Sequence, residues 1–294
     1  MAPIRLALLP QDEFEYLRAA LRDLVDLPYG IERRLRAAVA ATLATPGSLW
    51  RAQLAWASAR ASGLDERSTL GLACAVESFH VASLLFDDLP AMDDALTRRD
   101  RPCVHRVHGE AAAILAALAF VHEGHARLSQ ALDFASPDAR REARALWVEC
   151  LGLRGILDGQ ARDLAPQERV ANREEVLRQA AGKSVPLLRL ALELPAVVAG
   201  VAAGTRSALR RLSEHLGLAY QLLDDIADEA TIDAASGLAN ARRTLGAGAT
   251  ARLVRLELGR AREAAGEIAR ELPLLVPVLE ATVDRLDGSL ADVA

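Results

Sequence analysis

Two short stretches of this chain concentrate carboxylates beside apolar residues. One reads Asp87-Asp88-Leu89-Pro90-Ala91-Met92-Asp93-Asp94, behind Leu84-Leu85-Phe86; the other reads Asp224-Asp225-Ile226-Ala227-Asp228, behind Leu222-Leu223. Packing such charge into a folded molecule is costly unless cations neutralise it. Oxygen donors of this hardness suit Mg²⁺, which takes a few carboxylates together with waters and phosphate oxygens. Either stretch alone reads equally well as a solvated helix end. The two together point to carboxylate walls around a metal-bound diphosphate. Asp224 and Asp228 are four residues apart and share a helix face, with Asp225 beside them. Asp87 and Asp93 are six apart and would face different ways on an unbroken helix. Pro90 ends that helix and lets the chain fold back, so that both carboxylates approach one site.

Basic groups follow the first stretch: Arg98-Arg99, then Arg101-Pro102. A guanidinium pair beside a metal site can clamp a diphosphate through bidentate hydrogen bonds. Of 35 basic residues only Lys183, in Gly182-Lys183-Ser184, is a lysine. Its compact ammonium suits phosphate oxygens, although a solvated surface position fits the same sequence. Gln160 and Asp163 in Gly159-Gln160-Ala161-Arg162-Asp163, together with Gln221, are further candidates. His80 lies two helical turns before Asp87 on roughly the same face, and spacing leaves open a core histidine or a ligand contact. His122 and His125 lack the spacing of a helical zinc motif and read as surface residues.

The elements that must position these groups are helical. Of 294 residues, 51% are hydrophobic and only 4% aromatic, so Leu, Ala and Val build the core, a balance that favours close-packed helices over strands. Periodicity predicts helices over about 11–26, 30–44, 47–63, 66–88, 109–133, 137–163, 172–200, 204–228 and 250–270, with a shorter one near the C-terminus. Asn172-Arg-Glu-Glu is a capped start, and residues 229–249 read as a loop or short helix. The expectation is one all-α domain, 1–294, of about ten helices. A net charge of −5 argues against nucleic acid as a partner. Cys74, Cys103 and Cys150, odd in number and without metal-ligand spacing, read as reduced thiols of a cytoplasmic protein. No secretory signal is apparent, and the longest apolar runs fall short of the ~20 residues of a membrane span.

The stretch from Glu77 to Ala116, with its Asp-Asp-Leu-Pro-Ala-Met-Asp core, Arg98-Arg99, Arg101-Pro102 and Gly109-Glu110, resembles the trans-isoprenyl diphosphate synthases. So do Gly159-Gln160 with Asp163, Gly182-Lys183-Ser184, and Tyr220-Gln221 through Asp228, in the family's order. The likeness is nearest to bacterial geranylgeranyl and farnesyl diphosphate synthases. It implies a helical bundle around a central apolar channel, usually a homodimer, with three Mg²⁺ ions holding an allylic prenyl diphosphate. By position, Asp87, Asp93 and Asp224 would be the principal metal ligands, supported by Asp88, Asp225 and Asp228. Arg98, Lys183 and Gln221 would hold the allylic diphosphate, with Gln160 and Ser184 nearby; His80, Arg99 and Arg51 would serve isopentenyl diphosphate. Cations around the departing diphosphate would let a carbocation form in a dry channel, where an alkene attacks it and a proton is lost. Ala82 and Ser83, five and four residues before Asp87, are small, so the channel below them suits a product of fifteen to twenty carbons.

One segment departs from the family. Its homoallylic site normally begins Gly-Lys-Arg-x-Arg-Pro, whereas this chain has Gly47-Ser48-Leu49-Trp50-Arg51-Ala52, keeping only Arg51 of the three cations. Asp100 stands where a glycine is usual, and Arg242-Arg243 is a possible substitute for the lysines usual after the second aspartate stretch. Charge-assisted hydrogen bonds contribute roughly 1.5–3 kcal/mol each, so losing two weakens isopentenyl diphosphate binding by roughly 10²–10⁴-fold. Three readings follow: an elongating prenyltransferase, a terpene-synthase-like enzyme that needs no isopentenyl diphosphate, and a weakly active partner subunit of a true synthase.

Overall fold

A computed structural model describes residues 8–165, 172–228 and 240–293. In chain order the elements are α1 (Gln11–Arg22), α2 (Arg33–Leu43), α3 (Trp50–Ala61), α4 (Glu66–Asp87), β1 (Thr97–Arg98), β2 (Arg101–Pro102), α5 (Val104–His108), α6 (Glu110–Ala131) and α7 (Pro137–Leu151). Then come α8 (Ile156–Asp163), α9 (Arg173–Val198), α10 (Ala203–Asp228), α11 (Ala241–Leu245), α12 (Ala247–Ile268) and α13 (Val276–Val293). The protein is all-α, as the composition requires. Contacts group it into two compact units, residues 2–56 with 65–134 and residues 57–64 with 135–294.

In the first unit α4 packs along α6, with α1 and α2 beside them. Asp65 caps α4 by accepting the Ser68 N–H at 2.9 Å. The helix runs unbroken to Asp87, where the chain turns at Leu89-Pro90. α4 is long and apolar enough to cross a membrane, which the apolar runs of the sequence did not suggest; 67% of its most apolar window is buried here, as in a core helix. Phe79 lies against Gly124 of α6, where a methyl group would stand 2.2 Å from its ring.

The second unit is built on α9, which contacts α7, α8 and α10, while α10 packs on α12 and α13. Asn172 and Glu175 form the expected capping box at the start of α9. The single helix expected over 137–163 is two, because Gly152 and Gly155 break it: a Cβ at Gly155 would sit 2.0 Å from the Cys150 carbonyl oxygen. α8 then meets α9 backbone to backbone. A Cβ on Gly159 would fall 2.3 Å from the Gly182 carbonyl carbon, so only glycine permits this crossing.

The β1–β2 hairpin was not legible from periodicity, being two residues a side. Arg98 pairs with Arg101, and the two residues between them, Arg99 and Asp100, have φ of 55° and 61°. That is the geometry of a type I′ turn, which favours Asn-Gly. Asp tolerates the left-handed region at a cost that glycine avoids. Asp100→Gly is expected to raise stability by about 0.5–1 kcal/mol and Tm by about 1–3 °C; calorimetry showing a lower Tm would mean the turn is not strained.

Candidate active site

In the first unit the chain does fold back after Pro90. The Asp93 backbone N–H donates to the Asp87 carbonyl oxygen at 2.9 Å, bringing the two aspartates together at the end of α4. Asp93 is exposed and Asp87 half-buried. Asp88 turns the other way. It is 4% exposed and accepts Arg98 Nε at 2.7 Å, so its carboxylate holds an arginine rather than facing the site. Arg98 uses Nε alone in that pair, which leaves both terminal amino groups for another anion.

Around His80 the same unit gathers positive charge. Arg51 Nη1 lies 3.5 Å from His80 Nε2, and Arg51 is buried. Burial, then Arg51, Arg99 and Arg98, hold His80 well below the usual histidine range, so the ring is neutral near pH 7. Arg99 is pinned from two sides: Nη1 donates to the Thr45 carbonyl at 2.6 Å, and its guanidinium lies over Gly47, where a Cβ would be 2.2 Å away. Beneath them Glu77 is 3% exposed. Burial raises its pKa, against the opposing pull of Arg51, Arg99 and the Ala52 N–H. Ser48 and Leu49 supply no charge. The Ser48 carbonyl accepts Gln53 Nε2 at 2.8 Å, and Leu49, at φ 54°, is 3% exposed. Of the two small chain-length candidates, Ala82 is buried and Ser83 hydrogen-bonds within its own helix, to the His80 carbonyl at 2.9 Å.

The second unit joins most of its candidates into one network. Across the Gly159–Gly182 contact, Asp163 receives Lys183 Nζ at 2.5 Å on one oxygen and Gln179 Nε2 at 2.7 Å on the other. Ser184 Oγ donates to Gln221 Oε1 at 2.9 Å, and Gln221 Nε2 donates to Asp225 Oδ1 at 3.2 Å. Asp225 Oδ2 accepts the Ala241 N–H at 2.9 Å. Burial raises the pKa of Asp225, opposed by Ala241, Gln221 and Lys183. Asp225 thus resembles Asp88, the second aspartate of a pair turned inward onto protein donors, while Asp224 remains half-buried on α10. The side chain of Asp228 lies outside the described residues, as do residues 229–239 of the expected loop. Within that span 241–245 is α11, and Arg242 Nη1 donates to the Ile226 carbonyl at 2.7 Å. The Gln160 amide nitrogen is buried without a hydrogen-bond partner among the described residues.

Gln179, Glu77 and Gly47 were not singled out from the sequence. A carboxylate three residues before His80 in the most apolar helix was a usable signal for Glu77, and the match of Gly47 to the glycine that opens the homoallylic segment was one for Gly47; Gln179 had none.

The polyprenyl synthetase family model matches residues 32–237. The chain belongs to the polyprenyl synthetase family. A geranylgeranyl diphosphate synthase from Pantoea ananas is 37% identical over 188 residues, 63% of this chain and 62% of that one. A farnesyl diphosphate synthase from Bacillus subtilis is 32% identical over 188 residues, 64% of each. The chain therefore spans less than two thirds of the length of these two family members. The fold follows a crystallised geranyltransferase from Helicobacter pylori with a TM-score of 0.83 at 23% identity, covering 94% of this chain and 96% of that one.

The state of His80 gives a pH dependence with a definite sign. A depressed folded pKa means that the unfolded chain binds the extra proton as pH falls below about 6.5, so stability is lost toward acid. One such proton is worth at most about 1.4 kcal/mol per pH unit. Urea unfolding at several pH values from 7.5 to 5 is expected to show a smaller acid loss in His80→Asn than in the parent chain. Parallel curves would place the acid sensitivity elsewhere.

Proposed function

We propose that the protein is a Mg²⁺-dependent prenyltransferase that joins an allylic prenyl diphosphate to isopentenyl diphosphate, giving a product of fifteen to twenty carbons. The observation that carries this reading is the convergence of Arg51, Arg98 and Arg99 on a neutral His80. Burial is the larger cause of His80's low pKa, but Arg51 at 3.5 Å, with Arg99 and Arg98, adds to it, and together they make an anion site even with Ser48 and Leu49 in place of cations. His80 in its neutral form keeps one N–H to donate and adds no charge of its own. Arg99, fixed by Thr45 and Gly47, meets a diphosphate without first losing side-chain freedom.

The donor set suits hard cations. Asp88 and Asp225 are taken up by protein donors, so Asp87 and Asp93, joined through the Asp93 N–H, and Asp224 are the carboxylates that this reading gives to the metal. In this reading they hold three Mg²⁺ ions, which when bound neutralise the charge developing on the departing diphosphate. The remaining work belongs to the chain. Arg98 and Lys183 hold diphosphate oxygens, each already oriented by a carboxylate, Asp88 for the first and Asp163 for the second. Ser184 and Gln221 fix Asp225, and through it the face that Asp224 presents. Ala82 and Ser83 leave room for the growing chain. Exposed Ile114, Leu115 and Leu118 on α6 give an apolar stripe that supports a homodimer. The setting proposed is the cytoplasm, with no nucleic acid partner.

A second reading is favoured by one observation: Leu49 is turned into apolar surroundings and Ser48 is held by Gln53, so neither contributes to an acceptor site. In that case the allylic diphosphate is ionised and its cation captured by water or by its own double bond. Incubation with Mg²⁺ and dimethylallyl, geranyl, farnesyl or geranylgeranyl diphosphate, each with and without isopentenyl diphosphate, separates the two. Longer prenyl diphosphates that form only with isopentenyl diphosphate are expected; hydrocarbon or alcohol from the allylic substrate alone would establish the second reading. Asp87→Ala or Asp224→Ala is expected to lower turnover by at least about 10³-fold under both readings. Full turnover in either variant would overturn the metal assignment.

A further inference from the structure

Behind the face of α4 that carries His80, Ser83 and Asp87 lies a cavity of about 250 Å³. Glu77, Val81, Leu84, Leu85 and Asp88 all line it, spaced as one stripe of a helix, about a third of a turn away from His80 and Asp87. Leu21 of α1, Leu24 just beyond it, Leu43 of α2, Leu49, and Phe120 of α6 complete apolar walls, and exposed Arg101 and Val107 stand at the rim. All of these residues belong to the first unit.

The polar groups in this wall are unequally satisfied. Arg98 is engaged by Asp88 at 2.7 Å, and Arg99 by the Thr45 carbonyl at 2.6 Å. Glu77 is 3% exposed, and its Oε2 has no hydrogen-bond partner among the described residues. A buried carboxyl oxygen of that kind is costly to leave unmatched and favours any ligand that can bond to it. We propose that this cavity is a binding site for a small apolar alcohol of about ten carbons, whose hydroxyl bonds to Glu77 Oε2 and whose chain fills the space between α1, α2, α4 and α6. A hydroxyl suits the site because it donates to a carboxylate and accepts from a carboxylic acid, and so meets Glu77 in either protonation state. An anionic head group does not suit the position beside Glu77 Oε2, because an ionised Glu77 would repel it. The size follows from a dry cavity of about 150 Å³ holding benzene, which scales to roughly ten carbons here.

The site has a route to the acceptor machinery. Arg99 and the Asp88–Arg98 pair are part of its wall, and Glu77 is the buried carboxylate beneath Arg51 and Arg99. An alcohol bound to Glu77 changes the surroundings of the residues that the proposed function assigns to diphosphates. Occupancy itself does not depend on that assignment.

The test is calorimetric titration of the purified full chain with geraniol and with the hydrocarbon of the same skeleton, 2,6-dimethyl-2,6-octadiene, in the absence of any diphosphate. Geraniol is expected to bind saturably at one site, about tenfold more tightly than the hydrocarbon, since one hydrogen bond separates them. Glu77→Leu is expected to remove that preference. Ala41→Phe, which fills the cavity from α2 and leaves Glu77 in place, is expected to abolish binding of both compounds. Should either variant fail to fold by circular dichroism, Val107→Trp at the exposed rim is expected to weaken both compounds at least tenfold. Equal affinity for alcohol and hydrocarbon, unchanged binding in Ala41→Phe or Val107→Trp, or no heat of binding, with only an ordered water at Glu77, would overturn the proposal. Because binding is read without turnover, these outcomes stand apart from any failure of the prenyltransferase reading.

Discussion

The constraint that organises this protein is the placement of charge inside helices packed as closely as alanine and glycine allow. Where α8 meets α9 through Gly159 and Gly182, the backbones touch, and the side chains next to that contact have little freedom. Asp163 and Lys183 flank it and meet at 2.5 Å. Both side chains are half-buried, so removing one partner leaves the other charge less well compensated. The glycine contact thus fixes the pair, and the pair fixes where the only ammonium side chain is offered. The same logic runs through Gln179, Ser184 and Gln221, each of which gives a donor or acceptor to a group that would otherwise be unmatched.

The aspartate pairs resolve a similar conflict by dividing labour. Adjacent residues on a helix point about 100° apart, so Asp87 and Asp88, or Asp224 and Asp225, cannot both face one site. The inward member of each pair is bonded by protein groups, Arg98 for Asp88 and the Ala241 N–H with Gln221 for Asp225. The outward member is the one the proposed function assigns to a cation. The inward carboxylate is tied in each case to a second element, the β1–β2 hairpin in one unit and α11 in the other, so the ends of α4 and α10 are held by more than their own helices.

Much of this was legible in the sequence, for physical reasons that can be named. The 3.6-residue period marked the helices, Asn172 and Glu175 announced the start of α9, and Pro90 announced the fold-back that joins Asp93 to Asp87. What could not be read depends on contacts between distant residues or on very short elements. The division of 137–163 into α7 and α8 follows from Gly155 crowding the Cys150 carbonyl, and the hairpin around Arg99 has too few residues to show a period. Asp88 carried no sign that it would hold Arg98, because its neighbour Asp87 has the same side chain and nearly the same context. Only the direction of the helix face separates them.

The segment around Gly47 shows how far local substitutions can be absorbed. Replacing two cations with Ser48 and Leu49 removes charge, yet the remaining arginines are not scattered by their absence. Arg51 stays buried against His80, and Arg99 is held by a carbonyl and by the space that Gly47 leaves open. The turn that aims Arg99 uses two non-glycine residues at positive φ, a conformation that persists only where surrounding contacts over-determine it. Here those contacts are the Thr45 carbonyl and the Gly47 backbone, the same segment in which the cations are missing. The loop that lost its own charges therefore still has an electrostatic role, because it positions an arginine from elsewhere. Glu77 sets the limit on that compensation, since a carboxylate buried beneath Arg51 and Arg99 offsets part of their field.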